Sequence, residues 1–188
     1  MSAKKQVTRQ MIIDGAYNLV RKSGMSALNA RSLAKWLGCS TRPIYLSFGR
    51  MDEIKGEVVK LINAAYQTYL QDEVERGIYP EYKAYGMGYI RFAREERQLF
   101  SYLFMRSRKD GKEAPDGGDI TNVLNSLSSA TGLNGDLAER FHCECWVFVH
   151  GIATMLATSY VELDDETISV LISDMFIGLK ARYENLKD

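Results

Sequence analysis

From Val7 to about Lys22, the apolar residues Met11, Ile12, Ala16, Leu19 and Val20 recur at helical spacing, and Gly24 closes the run. Leu28 is then positioned to plug the gap before the next element. Between Asn29 and Phe48 the pattern predicts two short helices joined by a tight turn. Asn29 is suited to cap the first, whose inward stripe is Leu33, Ala34 and Leu37. Gly38 is suited to a left-handed helix end, Ser40 to a fresh N-cap, and Pro43 to the first turn of the second helix. Ile44 and Phe48, four apart, point to the core, which leaves Thr41, Arg42, Tyr45 and Ser47 facing out. This is a helix-turn-helix whose polar outer face suits a DNA major groove.

Residues 52–76 predict one longer helix with the inner stripe Ile54, Val58, Leu61, Ile62, Ala65 and Tyr69, and Pro80 marks a break. From Glu81 the chain turns aromatic, with Tyr82, Tyr85 and Tyr89 on one face, followed by Phe92, Phe100, Tyr102 and Phe104. Two readings stand for this segment: a pocket wall for a flat or cationic ligand, or ordinary core. The run Arg94–Arg97 suits a helix junction, and Arg108 to Asp119 reads as a polar loop. A helix over Ile120–Ala130 is broken at Gly132, and two more follow at about Asp136–Tyr160 and Asp165–Asn185. Around Cys145–Ala157 apolar residues occupy both helix faces, and Gly151, Ala153, Ala157 and Gly178 permit close backbone approach. Burial on both sides predicts a homodimer through the last two helices; the alternative is a monomer whose other helices wrap this one.

The pattern therefore predicts an all-α chain: a three-helix head over residues 1–51 on a larger helical dimerisation and ligand-binding body over 52–188. Charge sharpens that division. The 188 residues carry no net charge, yet residues 1–56 hold ten Lys or Arg against three Asp or Glu, a net of +7, and the rest balances it at −7. A basic head on an acidic body fits a DNA-binding unit joined to one that does not bind DNA. No apolar run reaches the length of about 20 residues that a membrane helix needs. An N-terminus without an apolar core, together with three cysteines, suits a reducing cytoplasm.

Several residues of the head carry a family resemblance: Ile13-Asp14-Gly15-Ala16, Gly24, Leu33-Ala34, Gly38, Ser40, Ile44-Tyr45, Phe48 and Asp52-Glu53-Ile54. In this order they resemble the TetR (tetracycline-repressor-like) family of bacterial transcriptional regulators, over roughly residues 7–60. The resemblance implies a dimeric regulator, usually a repressor, in which the helix from residue 52 links head to body and transmits ligand binding. Where the family usually carries a phosphate-contacting lysine, this chain has Met51, so Arg50 or Lys55 is left to supply that charge. The segment Trp146-Val147-Phe148-Val149-His150-Gly151 also resembles the Trp…His-Gly signature of one TetR C-terminal subgroup. That second resemblance implies that Trp146 and His150 lie near an effector cavity.

The expected DNA-binding set is Asn29, Arg31, Ser32, Ser40, Thr41, Arg42, Tyr45, Ser47, Arg50 and Lys55. Backbone N–H groups at the Asn29 and Ser40 helix starts and the head's basic side chains suit phosphates. Arg42 suits a guanine edge, Thr41 a base edge or phosphate, and Tyr45 and Ser47 a phosphate. The expected ligand-binding set is Tyr85, Tyr89, Phe92, Phe104, Trp146 and His150. His142, Cys143 and Cys145 invite a metal reading, but no second cluster completes a tetrahedral set, so neither a metal nor a cofactor is expected. No nucleophile motif or nucleotide loop points to an enzyme. The expected partners are a palindromic double-stranded operator, a second copy of the chain, and a small-molecule effector, with no membrane. The rival reading is a helical ligand-binding or adaptor protein without sequence-specific DNA binding, and Met51 favours it.

Overall fold

Cap chemistry sets the beginning and end of the first helix in the computed structural model, which describes residues 7–106 and 120–185. The expected loop over Arg108–Asp119 lies outside the described residues. Helix α1 (Arg9–Ser23) starts where Thr8 accepts a hydrogen bond from the Met11 N–H, and it stops at Gly24, whose φ is 81°. A single 3-10 turn, Met25–Ala27, leads into α2 (Ala30–Leu37) and α3 (Arg42–Ser47). There follow α4 (Met51–Glu75), α5 (Glu81–Glu95) and α6 (Arg97–Phe104). The last three are α7 (Thr121–Thr131), α8 (Gly135–Ala157) and α9 (Asp165–Glu184). Every regular element among the described residues is helical, so the fold is all-α.

By packing, the described residues form two compact units, one of residues 7–65 with 98–106 and one of 66–97 with 120–185. The first is built on Ile12, Val20, Leu28, Leu33, Ile44 and Phe48, all buried, together with Ile54 and Val58 of α4 and Leu99 and Phe100 of α6. In the second, α5 packs on α8, α7 and α9. One of its clusters joins Leu127, Leu133, Ala138, Phe141, Cys145 and Tyr183, with Tyr82 and Phe176 against it.

The stripe expected on α4 changes residues along its length. Ile54, Val58 and Ile62 are buried as expected, but farther on Tyr66, Leu70 and Glu73 are buried while Tyr69 is only half-buried. Glu73, at 3% exposure, is an acid in the second unit's interior. It is offset there by Arg91 Nη1 at 2.9 Å and Arg76 Nη1 at 3.0 Å, while Arg91 also stacks its guanidinium 4.9 Å over the Tyr69 ring. Removing one partner of such a pair costs more than the pair contributes, because the other charge is left buried.

Candidate nucleic-acid interface

The start of α2 is held by a reciprocal cap. Asn29 Oδ1 accepts from the N–H groups of Arg31 (3.1 Å) and Ser32 (3.0 Å), and the Asn29 N–H donates to Ser32 Oγ at 3.1 Å. A cap of this kind contributes about 1 kcal/mol. The Ser32 hydroxyl also donates to the Ala27 carbonyl at 2.6 Å, so it fixes the entry to α2 from within the head. At the other end, Gly38 takes the left-handed conformation (φ 65°, ψ 33°). The N–H of Cys39 reaches the Ala34 carbonyl at 3.0 Å and that of Gly38 the Lys35 carbonyl at 3.3 Å, the paired closure that turns a chain sharply after a helix.

The cap of α3 differs from the expectation. Ser40 lies one residue outside, and Thr41 is the cap residue, with a helical φ of −70° and no side-chain cap hydrogen bond. Its carbonyl already accepts from the N–H groups of Ile44 and Tyr45, both at 3.2 Å, so a backbone bond starts this helix. Ile44 and Phe48 fill the core and fix the rotation of α3. Arg42 is exposed, Tyr45 is 52% exposed, and Thr41 and Ser47 are half-buried. Leu46, which the sequence reading left out, is 76% exposed.

Arg9 was also missed. Its Nη1 donates to the Ser47 carbonyl at 2.9 Å, and its guanidinium lies 3.8 Å from the centroid of the Phe48 ring. That clamps the C-terminal end of α3 to α1, across 38 residues of sequence. Beyond it, Arg50 is exposed just before α4 and Arg31 is exposed in the first turn of α2. Lys55 is paired instead, its Nζ 3.4 Å from Asp52 Oδ1.

The expected ligand-binding residues divide between the two units. Phe104 belongs to the first unit, on α6, with its ring 5.3 Å from Phe100. In the second unit, Phe92 is fully buried among the rings of Tyr66 and Tyr69, each centroid 5.4 Å away, and Tyr85 donates to Glu81 Oε1 at 3.4 Å. Tyr89, Trp146 and His150 do come together. The Trp146 and His150 rings stack at 5.0 Å and 16°, and the Tyr89 hydroxyl meets His150 Nδ1 at 2.9 Å. The Trp146 indole N–H donates to the Tyr89 oxygen. On its other side, His150 Nε2 lies 3.4 Å from Thr154 Oγ1. Burial pushes Tyr89 up and His150 down from their ordinary values, so both are neutral at pH 7.

A second tyrosine–histidine pair lies two turns away on α5. The Tyr82 hydroxyl sits 3.0 Å from His142 Nδ1 and also bonds Cys145, whose thiol burial pushes up to about 11. A thiol held protonated at neutral pH is a poor nucleophile and a poor metal ligand. Cys143, on the opposite side of α8, is exposed.

These arrangements can be set beside known proteins. A family model described as the tetracyclin repressor-like C-terminal domain matches residues 82–175, half of the chain. The chain belongs to the TetR family. The fold is also similar to that of a solved structure from Vibrio parahaemolyticus, assigned to the TetR family of transcriptional regulators. That structure is 17% identical, with 89% of this chain and 96% of that one covered, at a TM-score of 0.63. No curated protein matches the sequence. Family membership places this TetR-family chain among transcriptional regulators.

The body of this TetR-family chain has one feature that the periodicity of α8 foreshadowed. Within one chain only one face of that helix is covered, by Phe141, Cys145, Val149, Ile152 and Leu156. The other face presents Leu137, Val147 (58% exposed) and Gly151, and on α9 Val170, Leu171, Ile177 (64% exposed) and Gly178 are likewise exposed. Among the described residues, no helix is long and apolar enough to cross a membrane.

Proposed function

We propose that this TetR-family chain is a homodimeric repressor that binds a palindromic operator and is released by a small-molecule effector. The observation that carries the reading is the outer face of α3, where Arg42 and Tyr45 are exposed on a helix anchored at Ile44, Phe48 and Arg9. A rigid helix with a planar guanidinium at its start is what readout of a guanine edge requires. Residues 1–51 serve as the DNA-binding domain and 52–188 as the ligand-binding and dimerisation domain. Arg42 reads a base, with Thr41 beside it. Tyr45, Ser47, Ser40 and Arg31 contact phosphates, while the Arg31 and Ser32 N–H groups expected to do so are taken up by Asn29 Oδ1. Ser32 acts through the cap it closes.

Of the two substitutes for the lysine missing at Met51, Arg50 suits the role better. Lys55 is already compensated by Asp52, and the acids Asp52 and Glu53 of the first turn repel a phosphate placed against α4 itself. An exposed charge at position 50 answers the feature that favoured an adaptor.

Dimerisation through α8 and α9 is supported by their exposed apolar residues, an arrangement that a second copy would cover by two-fold symmetry. Tyr89, Trp146 and His150 form the centre of the effector site in the body. An effector that favours one arrangement of the paired heads over another opposes DNA binding by the same free energy with which DNA opposes the effector. The test is a fluorescence anisotropy titration of the dimer against the DNA upstream of its own gene, beside a scrambled duplex. Binding tighter to the upstream DNA supports the repressor; equal binding to both supports the adaptor.

A further inference from the structure

A single exposed leucine needs no explanation on most surfaces. Leu46 differs by its position. Ile44 and Phe48 fix the inward direction of α3, and at about 100° per residue Leu46 lies about 180° from the mean of those two. It is therefore the outermost side chain of the helix, which agrees with its 76% exposure. Arg42, four residues earlier, falls on the same outward line about 6 Å away along the axis. The line that faces away from the head core thus pairs one guanidinium with one branched apolar side chain, in an N-terminal segment, residues 1–56, of net charge +7.

We propose that Leu46 is a specificity-determining residue that contacts the C5 methyl group of a thymine in the major groove, within about two base steps of the base pair read by Arg42. This rests on the proposal that α3 reads DNA and adds a base identity to it. The methyl group is the only apolar feature that base pairs present in the major groove. An isobutyl group at the pole of α3 has no hydrogen bond to offer a phosphate or a base edge, so its gain from DNA comes from burial against that methyl. A protein partner covering the same face would have to accommodate Arg42 and the surrounding positive charge, which favours the polyanion.

The full-length protein is first used to select its preferred duplex from a random-sequence library. Each thymine of that duplex is then replaced in turn by deoxyuridine, which keeps the pairing with adenine and removes only the methyl group. Wild type should lose about fourfold in affinity at one thymine per half-site, the worth of one buried methyl-sized group. Leu46→Ala, which loses the contact in both protomers, should bind the original duplex about as weakly as wild type binds the duplex with that thymine replaced in both half-sites, and it should not distinguish the two. Because Leu46 is exposed, the variant's thermal midpoint should match wild type. A wild type indifferent to every uracil overturns the proposal, as does a Leu46→Ala protein that keeps the wild-type thymine-to-uracil ratio; in both cases DNA reading by α3 stands. Failure to enrich any sequence overturns DNA reading itself, and the role of Leu46 with it.

Discussion

Replacing Gly151 and Gly178 with alanine separates the free protomer from the proposed dimer, because the two predict opposite signs. In the single chain a Cβ built at either position has nothing within 4 Å. Both residues lie inside helices, so each alanine should stabilise the protomer by about 1 kcal/mol through helix propensity alone. On a face where a twin's backbone approaches closely, each added methyl instead forces a shift that costs about 1–3 kcal/mol, and two-fold symmetry presents every methyl twice. The double variant should therefore raise the dimer dissociation constant at least about tenfold, roughly 1.4 kcal/mol. Its unfolding midpoint, measured below that dissociation constant, should rise. Gly88→Ala is the internal contrast: its Cβ would sit 2.7 Å from the Tyr69 carbonyl oxygen and 3.1 Å from Leu70 Cα. Helix backbone cannot step aside, so that variant should lose about 1–3 kcal/mol despite the better propensity. Sedimentation velocity over a dilution series reads the association, and urea unfolding reads the protomer. A double variant that gains stability and associates as tightly as wild type would refute the assignment of α8 and α9 as the interface.

Four further outcomes are expected. Arg42→Ala should cost about 1–3 kcal/mol on the selected duplex and relax preference at one base pair; unchanged affinity and selectivity in a binding titration would remove Arg42 from the reading set. Tyr45→Phe should weaken specific and random duplexes nearly equally, and a changed base preference would contradict its assignment to phosphate. Glu73→Ala removes the buried partner of Arg91, which is half-buried and keeps only its 3.4 Å ion pair with the exposed Asp72, and should cost about 1–3 kcal/mol, lowering the melting midpoint by about 2–12 °C; a shift no larger than that of the exposed Glu75→Ala would contradict the buried pair. His142 and His150 are both held below the ordinary value of 6.5 by burial, so below about pH 6.5 the unfolded chain binds more protons than the native one. Stability should be full above that pH and fall as the pH drops through the window beneath it. Replacing both histidines with glutamine should flatten that slope in calorimetry, and an unaltered slope would assign it to other groups.

Local chemistry was legible in the sequence, and distant chemistry was not. The Asn29 cap and the Gly38 turn depend on atoms within a few residues of one another, so residue type and spacing sufficed to place them. The start of α3 was read one residue early because Ser40 and Thr41 are both cap formers and Pro43 fits the first turn from either, as its third residue after Ser40 or its second after Thr41. The seating of Ile44 and Phe48 decided between them. Tyr66 and Tyr69 sit three apart on α4, and periodicity alone could not tell which would be enclosed by α5. The Arg9 clamp on Ser47 joins residues 38 apart and has no signature along the chain. Leu46 was passed over because the outward set was chosen for polar side chains, although the spacing of Ile44 and Phe48 already places Leu46 opposite the core. Of the expected ligand-binding residues, Trp146 and His150 stand four apart on α8, a spacing that puts their rings on one face, where they stack.

The central claim is that two copies of α3 read two half-sites. Hydroxyl-radical footprinting of the full-length protein on the DNA upstream of its gene tests it most directly. Two symmetric protected patches should appear, their centres one helical turn apart, about 10 base pairs, or a multiple of it. Protection should fall in Arg42→Ala at a concentration that just saturates wild type. A single patch, or protection spread evenly along the duplex, would contradict the account.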